Sequence, residues 1–315
     1  MKKILVPPIK SQGIKTKLVP WILQTIRRDP KGMWIEPFMG TGVVGFNVQP
    51  KHAIFSDVNR HTIDFYNALK KMEVTPQGAR KYLEKEGAIL SQKGEDHYYF
   101  IRERFNKHYD PIDFLFLSRA CFNGMIRFNS KGGFNVPFCR KPARFSKSYI
   151  TKITNQITGV CRLIYANDWE FLCIDFRDLL NHTGKSDFVY CDPPYYARHV
   201  DYYNSWTDHD EESLFACLEK LNCNFILSTW HSNRFRKNTS IDRYWNHFEI
   251  VTKEHFYHVG AKESNRNAML EALVLNYPPE PIPLTEEKPQ LALALGEKRQ
   301  SYLPKERKTK KKVPH

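Results

Sequence analysis

Short apolar runs alternate with polar turns over the first 69 residues. Trp34-Ile35-Glu36-Pro37-Phe38-Met39 is one such run, and it passes through Gly40-Thr41-Gly42 into the helix-compatible Val43-Val44-Gly45-Phe46. His52-Ala53-Ile54-Phe55-Ser56-Asp57 reads as a second strand, followed by a helix from Asn59 to Leu69 with Ile63, Tyr66, Asn67 and Lys70 at helical spacing. Strand, glycine turn, helix, strand, helix predicts an α/β fold with a parallel sheet. From Thr75 to about His108 the pattern breaks into strongly polar helix formers. Phe114 to Phe122 reads as an apolar helix, and Asn129-Ser130-Lys131-Gly132-Gly133-Phe134-Asn135-Val136 as the turn of a hairpin. Strand-like runs return at Leu163-Ile164-Tyr165, at Asp187 to Cys191 and at Asn224 to Thr229, with a helix from about Asp208 to Leu221 opened by Thr207. Phe248 to Val251 and Leu270 to Tyr277 read as closing strands, and beyond Pro278 a Pro-rich stretch leads to the basic cluster Lys308 to Lys312.

These breaks divide the chain into a first framework block (1–69), an inserted, mostly helical block with one hairpin (70–155), a second framework block (156–277) and a tail (278–315). Charge sharpens the division. Residues 1–69 hold ten Lys/Arg against four acids and residues 156–285 twelve against eighteen, so these stretches cancel. The whole net charge of +14 therefore resides in residues 70–155, seventeen basic against eight acidic, and in 286–315, nine against four. A balanced framework carrying a cationic insert and tail points to a polyanionic partner.

Composition removes several classes. With 41% apolar and 14% aromatic residues the chain has the material for a core. No apolar run approaches the roughly 18 residues of a membrane span, and Met1 to Val6 meets Pro7-Pro8 before a signal-peptide core could form. A soluble, cytoplasmic protein is expected, as a monomer or weak dimer. The seven cysteines include no Cys-x-x-Cys pair, which predicts reduced thiols and no zinc ribbon. His255-x-x-His258 lacks a further ligand, so no metal is expected.

Gly40 and Gly42 lie where a strand hands over to a helix, where glycine lets backbone approach a ligand closely. Asp57, at the end of the next strand, is placed to accept from two ribose hydroxyls, which implies a nucleoside-bearing cofactor. Asp187-Phe188-Val189-Tyr190-Cys191-Asp192-Pro193-Pro194-Tyr195 is more specific: a strand ends in an acid, two prolines and an aromatic ring. That combination suits methylation of an exocyclic amine, whose lone pair is delocalised until acceptors hold its hydrogens. Asp192 supplies one acceptor and the Pro193 carbonyl a second, while Tyr195 stacks on the base.

With these motifs in this order, the chain resembles the Dam-like alpha group of DNA adenine-N6 methyltransferases from about Pro8 to Tyr277. The resemblance implies a Rossmann-like sheet that uses S-adenosyl-L-methionine, an inserted DNA-recognition domain, and duplex DNA as partner. It places Asp192, Pro193 and Tyr195 in catalysis. Lys15 falls at the family's lysine for the methionine carboxylate, within Ile9-Lys10-Ser11-Gln12-Gly13-Ile14-Lys15, and Ser11 stands where the family usually has Trp. Glu36, Phe38, Gly40 and Gly42 match the cofactor glycine-turn motif, and Asp57 the ribose acid. Arg119 to Phe138 matches the recognition domain's most distinctive stretch, with Phe122 as an intercalating ring, Arg127 reading a base, and Asn123 and Lys131 beside them. Phe128 is expected in the insert's own small core.

The expected reaction is transfer of a methyl group to N6 of a flipped adenine within a specific sequence containing GAT, protecting DNA from a separate cognate restriction endonuclease. An RNA adenine or protein-amide methyltransferase, and a non-catalytic DNA-binding module of the same fold, are the alternatives. Arg198, Tyr202, Tyr203 and Trp206 are candidates for a flap over the base, His231 for lining the site, and Gly260 to Arg266 for phosphate contact.

Overall fold

The computed structural model describes residues 3–11, 13–26, 31–196, 206–256 and 268–279, within a compact unit, Met1–Glu280. A seven-stranded sheet organises it. The strands are β1 (Trp34–Glu36), β2 (His52–Ser56), β3 (Asp168–Leu172), β4 (Phe188–Cys191), β5 (Asn224–Asn233), β6 (Glu249–Phe256) and β7 (Ala268–Leu275), in the order β3-β2-β1-β4-β5-β7-β6. Strands β1 to β5 run parallel, while β7 is antiparallel to both β5 and β6. The doubly wound, Rossmann-like α/β class expected from the sequence is present. Strand order reverses between β1 and β4, and such a sheet binds ligands at the crevice beyond its carboxyl edge there.

Local chemistry accounts for the helices. α1 (Val19–Thr25) precedes β1, and the short α2 (Gly45–Val48) follows the glycine turn. α3 (Arg60–Lys70) is capped by Asn59, whose side chain accepts from the His61 N–H, and buries Ile63, Phe65, Tyr66 and Leu69. The insert holds α4 (Pro76–Lys93), α5 (Glu95–His108), α6 (Pro111–Ala120) and α7 (Lys147–Ala166). Thr75, Asp110 and Ser146 cap α4, α6 and α7, while proline occupies the first turn of α4 and α6, where its missing N–H costs nothing. α8 (Phe176–Leu180) follows β3, and α9 (Asp208–Glu219) opens on a capping box between Thr207 and Asp210.

Two expectations need revision. Leu163-Ile164-Tyr165 is not a strand; it is the last turn of α7, whose buried Ile150, Ile153, Ile157, Val160, Cys161 and Ile164 recur every three or four residues. The strand lies just beyond, at Asp168-Trp169-Glu170-Phe171-Leu172, where Trp169 and Phe171 alone are buried. α7 also runs unbroken through the division expected after residue 155. Its apolar face and those of α4 to α6 join the same buried cluster as Trp34, Phe46 and Phe55, so the insert helices share a core with one face of the sheet.

A polar network within that cluster holds α4, α5 and α6 together. Arg104 donates to both oxygens of buried Asp113 at 2.8 and 2.6 Å, Tyr82 donates to the same carboxylate, and His97 meets Glu86 at 2.8 Å. Arg104 is the opposite charge to both buried carboxylates, 2.6 Å from Asp113 and 3.7 Å from Glu86, the condition under which their burial is tolerated.

Candidate active site

Three carboxyl-edge segments and the N-terminal strand of chain build the site. After β1, the backbone turns through Gly40 (φ +48°) and Gly42 (φ +75°), values that favour glycine. A Cβ at Gly40 would meet nothing within 4 Å, so this turn faces open space; one at Gly42 would strike the Phe46 ring at 2.6 Å. Gly40 thus lines the crevice, whereas Gly42 admits packing beneath it. After β2, Asp57 accepts from the Gly40 N–H through one carboxylate oxygen and the Asn59 N–H through the other, both at 2.8 Å. These bonds aim the carboxylate across the glycine turn and leave acceptor capacity on both oxygens. Burial nonetheless holds its pKa above the ordinary aspartate value.

Glu36 is placed differently from Asp57. Only 2% exposed, it accepts from Trp34 Nε1 and the Gly45 N–H, both at 3.0 Å, and so ties β1 to the start of α2 beneath the turn. Burial raises its pKa to about 8, with Asp192 and Asp57 adding to the rise. A folded pKa above the ordinary 4.5 means that the fold favours the protonated acid. The resulting stability is full below about pH 4.5 and is lost as pH climbs towards about 8. Glu36→Gln, which keeps the acceptor and removes the ionisation, is expected to abolish this loss, worth up to about 1.4 kcal/mol per pH unit. Thermal melts of both proteins between pH 5 and 9 check it; parallel curves would contradict it.

Beyond β4, Asp192 forms a 2.7 Å ion pair with Lys15, whose ammonium also stands 4.5 Å above the Tyr195 ring. Pro193 and Tyr195 are buried, and the Tyr195 hydroxyl donates to Glu271 on β7. Burial raises the Asp192 pKa; Lys15 opposes the rise and Glu271 adds to it. Lys15, Asp192 and Tyr195 therefore come together beyond the end of β4. In this structure the partner of buried Lys15 is the part-buried Asp192 carboxylate, and each neutralises the other.

The segment that carries Lys15 is cinched from two sides. Asn47 of α2 exchanges hydrogen bonds with the Leu5 backbone at 2.8 and 2.9 Å, and buried Arg119 of α6 donates to the carbonyls of Pro8 (2.6 Å) and Pro7 (3.4 Å). Ser11 is partly buried in this segment, and neighbouring Gln12 lies outside the described residues. Arg119, which the sequence offered only as part of the recognition stretch, thus ties that stretch to the N-terminal segment.

Phe38 lies against Phe176 and Trp206 with ring centroids 5.2 and 5.6 Å away, an aromatic cluster between the ends of β1 and β3. Phe176 and Glu271 were missed in the sequence. A lone acid inside the apolar strand Ala-Met-Leu-Glu-Ala-Leu-Val-Leu is the signal that could have found Glu271. Of the suggested flap, Trp206 packs in this cluster, while Arg198, Tyr202 and Tyr203 lie outside the described residues, as do His258 and Gly260 to Arg266. His231 is partly buried with Nδ1 3.0 Å from Ser232 Oγ. No group of three His, Cys, Asp or Glu suited to a metal occurs among the described residues.

The recognition stretch forms the expected hairpin in compact form. Asn129 Oδ1 accepts from the N–H groups of Lys131 and Gly133, and single antiparallel bridges join Phe128 to Phe134 and Cys121 to Phe138. Phe128 is buried on His61, 4.8 Å between ring centroids, whereas Phe122 is 48% exposed. Asn123, exposed beside it, adopts φ 53°. Arg127 Nε donates to Asn135 Oδ1 at 2.9 Å, which orients the guanidinium, and Lys131 is exposed at the turn.

Comparison with known proteins places the whole sequence. The family model described as D12 class N6 adenine-specific DNA methyltransferase matches residues 11–259. The DNA adenine methylase of Serratia marcescens is 30% identical over 222 residues, 67% of this chain and 76% of that protein. The type II methyltransferase M.MjaIII of Methanocaldococcus jannaschii is 26% identical over 303 residues, 86% of this chain and 99% of that one. M.FokI of Planomicrobium okeanokoites is 26% identical over 280 residues, and the chain spans only 42% of its length. On the extent of the family match, the chain belongs to the D12 class N6 adenine-specific DNA methyltransferases.

Proposed function

We propose that this protein transfers the methyl group of S-adenosylmethionine to N6 of an adenine rotated out of duplex DNA, at a specific sequence containing GAT, and that it thereby protects DNA from a cognate restriction endonuclease. The observation that carries the chemistry is the Lys15–Asp192 pair over the Tyr195 ring. A nitrogen held by Asp192 above an aromatic face is the arrangement that a target amine requires, and the Lys15 ammonium occupies it. The residues present also fit the cofactor: Asp57 for ribose hydroxyls, the Phe38–Phe176–Trp206 cluster for an adenine ring, the open turn at Gly40 for close approach, and Lys15 for an amino-acid carboxylate. When bound, the cofactor supplies a sulfonium methyl.

The chain's own groups do the rest. Lys15 would swing off Asp192 to pair with a cofactor carboxylate, which would expose both the Asp192 carboxylate and the Tyr195 face. Asp192 and the Pro193 carbonyl then accept the two amine hydrogens, and Tyr195 stacks on the base, a contact worth about 1–3 kcal/mol against a flipping cost of similar size. The buried carboxylate stabilises positive charge developing on nitrogen and receives the proton afterwards. Glu271 positions Tyr195 through its hydroxyl.

Exposed Phe122 fills the gap left by the departing adenine, with Asn123 and Lys131 contacting the duplex around it. Arg127, oriented by Asn135, reads a base edge. Arg127→Ala is expected to cost about 1–3 kcal/mol at one base position only; equal loss on every sequence in a methylation series would exclude base reading. Sequencing modified bases in DNA and RNA from cells that express the protein tests the whole reading. N6-methyladenine at one defined DNA sequence supports it, and methylation confined to RNA or none at all contradicts it.

A further inference from the structure

The end of β5 carries a feature that the reaction above leaves unused. The chain reverses through Asn233-Arg234-Phe235-Arg236-Lys237, and all four residues after Asn233 are exposed. The reversal is firmly built. Asn233 Oδ1 accepts from the N–H groups of Phe235 and Arg236 at 2.8 and 2.9 Å, and the Asn233 N–H donates to the Arg236 carbonyl at 2.9 Å. Ser232 and Lys237 form an antiparallel bridge. Buried Asn238 anchors the return, donating to Thr229 Oγ1 and the Trp230 carbonyl and accepting from Ser240.

Phe235 is 70% exposed, more than any other large hydrophobic side chain among the described residues. Three cations lie in the same four positions, within a stretch, 156–285, that has twelve basic residues against eighteen acids. A single exposed phenylalanine would by itself mean nothing, but the Arg234 guanidinium lies 5.8 Å over this ring. Cations flanking an exposed ring are the combination that binds a phosphate backbone and stacks on a base.

Register places this turn relative to the site. Cys191 pairs with Leu227, so Asp192 is level with Ser228 and Asn233 is five residues further along β5. At about 3.3 Å per residue the turn rises roughly 15 Å beyond the carboxyl edge. The strand is also tied to the catalytic loop, since Trp230 Nε1 donates to the Tyr196 carbonyl at 3.0 Å and Trp230 clusters with Tyr195. A ligand that reaches both Asp192 and Phe235 is therefore larger than a nucleoside.

We infer that the Arg234–Lys237 turn is a second duplex-DNA contact, on the catalytic rather than the insert side, in which the three cations hold phosphates flanking the target nucleotide and Phe235 stacks on a base next to it. The inference rests on the proposed DNA adenine methylation. It is tested with R234Q/R236Q/K237Q and with Phe235→Ala, neither of which alters a residue of the reaction site. For the triple variant, the slope of log affinity on log salt for duplex DNA is expected to shrink by about 0.9 for each lost phosphate contact. Its affinity at low salt should fall at least tenfold while its melting temperature stays that of the parent. Phe235→Ala should keep the salt slope but lower, several-fold, the fluorescence of 2-aminopurine placed at the target position. An unchanged slope in the triple variant, with a parent that binds and methylates duplex DNA, overturns the phosphate contact; unchanged fluorescence overturns the stacking. A parent that does not methylate duplex DNA overturns the functional reading itself, and the turn's role with it.

Discussion

Asp192→Ala is expected to abolish methyl transfer, by about 10³-fold or more, while leaving duplex-DNA affinity within a few-fold. The size follows from two losses at once: the acceptor that orients the amine, and the buried negative charge that stabilises the cationic nitrogen as it forms. Asp192→Asn separates them, since it keeps an acceptor of the same shape without the charge, and its rate should lie between the parent and the alanine variant. Single-turnover transfer of labelled methyl, measured beside DNA binding by anisotropy, decides the matter. Residual transfer within tenfold of the parent would remove Asp192 from the reaction. The pH profile carries a sign as well. The acting form is the carboxylate, and burial raises its pKa, so the rate should fall as pH drops through a value above that of ordinary aspartate.

Lys15→Met is the second large effect, and it acts on the same carboxylate from the opposite side. Lys15 is 6% exposed at its side chain and pairs with Asp192 at 2.7 Å. Removing one member of the pair strands the other charge, a change that reaches about 3–5 kcal/mol where both groups are fully buried and less where, as here, the carboxylate side chain is 21% exposed. Stability should therefore drop by less than that at neutral pH and recover partly under acid conditions, where the stranded Asp192 takes up a proton. Since Lys15 is also what holds the Asp192 pKa down, the acid limb of the activity profile should move to higher pH in the variant. Denaturant melts and a pH–rate series check both; a profile superimposable on the parent's would show that Lys15 and Asp192 do not communicate.

Much of the fold was legible because its signals are local. Asn59, Thr75 and Thr207 stand at the helix starts read from the sequence, and the side chain of each accepts from an N–H two or three residues on. Gly40, Gly42 and Asp57 likewise mark the ends of β1 and β2 within 17 residues of one another. Leu163-Ile164-Tyr165 misled for the same local reason: three apolar residues in a row fit a strand, and only the long amphipathic repeat back to Ile150 identifies them as the end of α7. Glu36 belongs to the same motif as Gly40 and Gly42, and that it accepts from the Gly45 N–H is a direction that residue order does not reveal.

The candidate groups are written in residue order, since Asp-Pro-Pro-Tyr after a strand and two glycines before a helix are short-range statements of backbone and side-chain chemistry. Their partners are not. Lys15 meets Asp192 across 177 positions of chain, and Tyr195 meets Glu271 across 76. Those meetings exist because β1 pairs with β4 and β5 with β7, arrangements set by how the apolar faces of distant elements pack and by the need to neutralise each charge that packing buries.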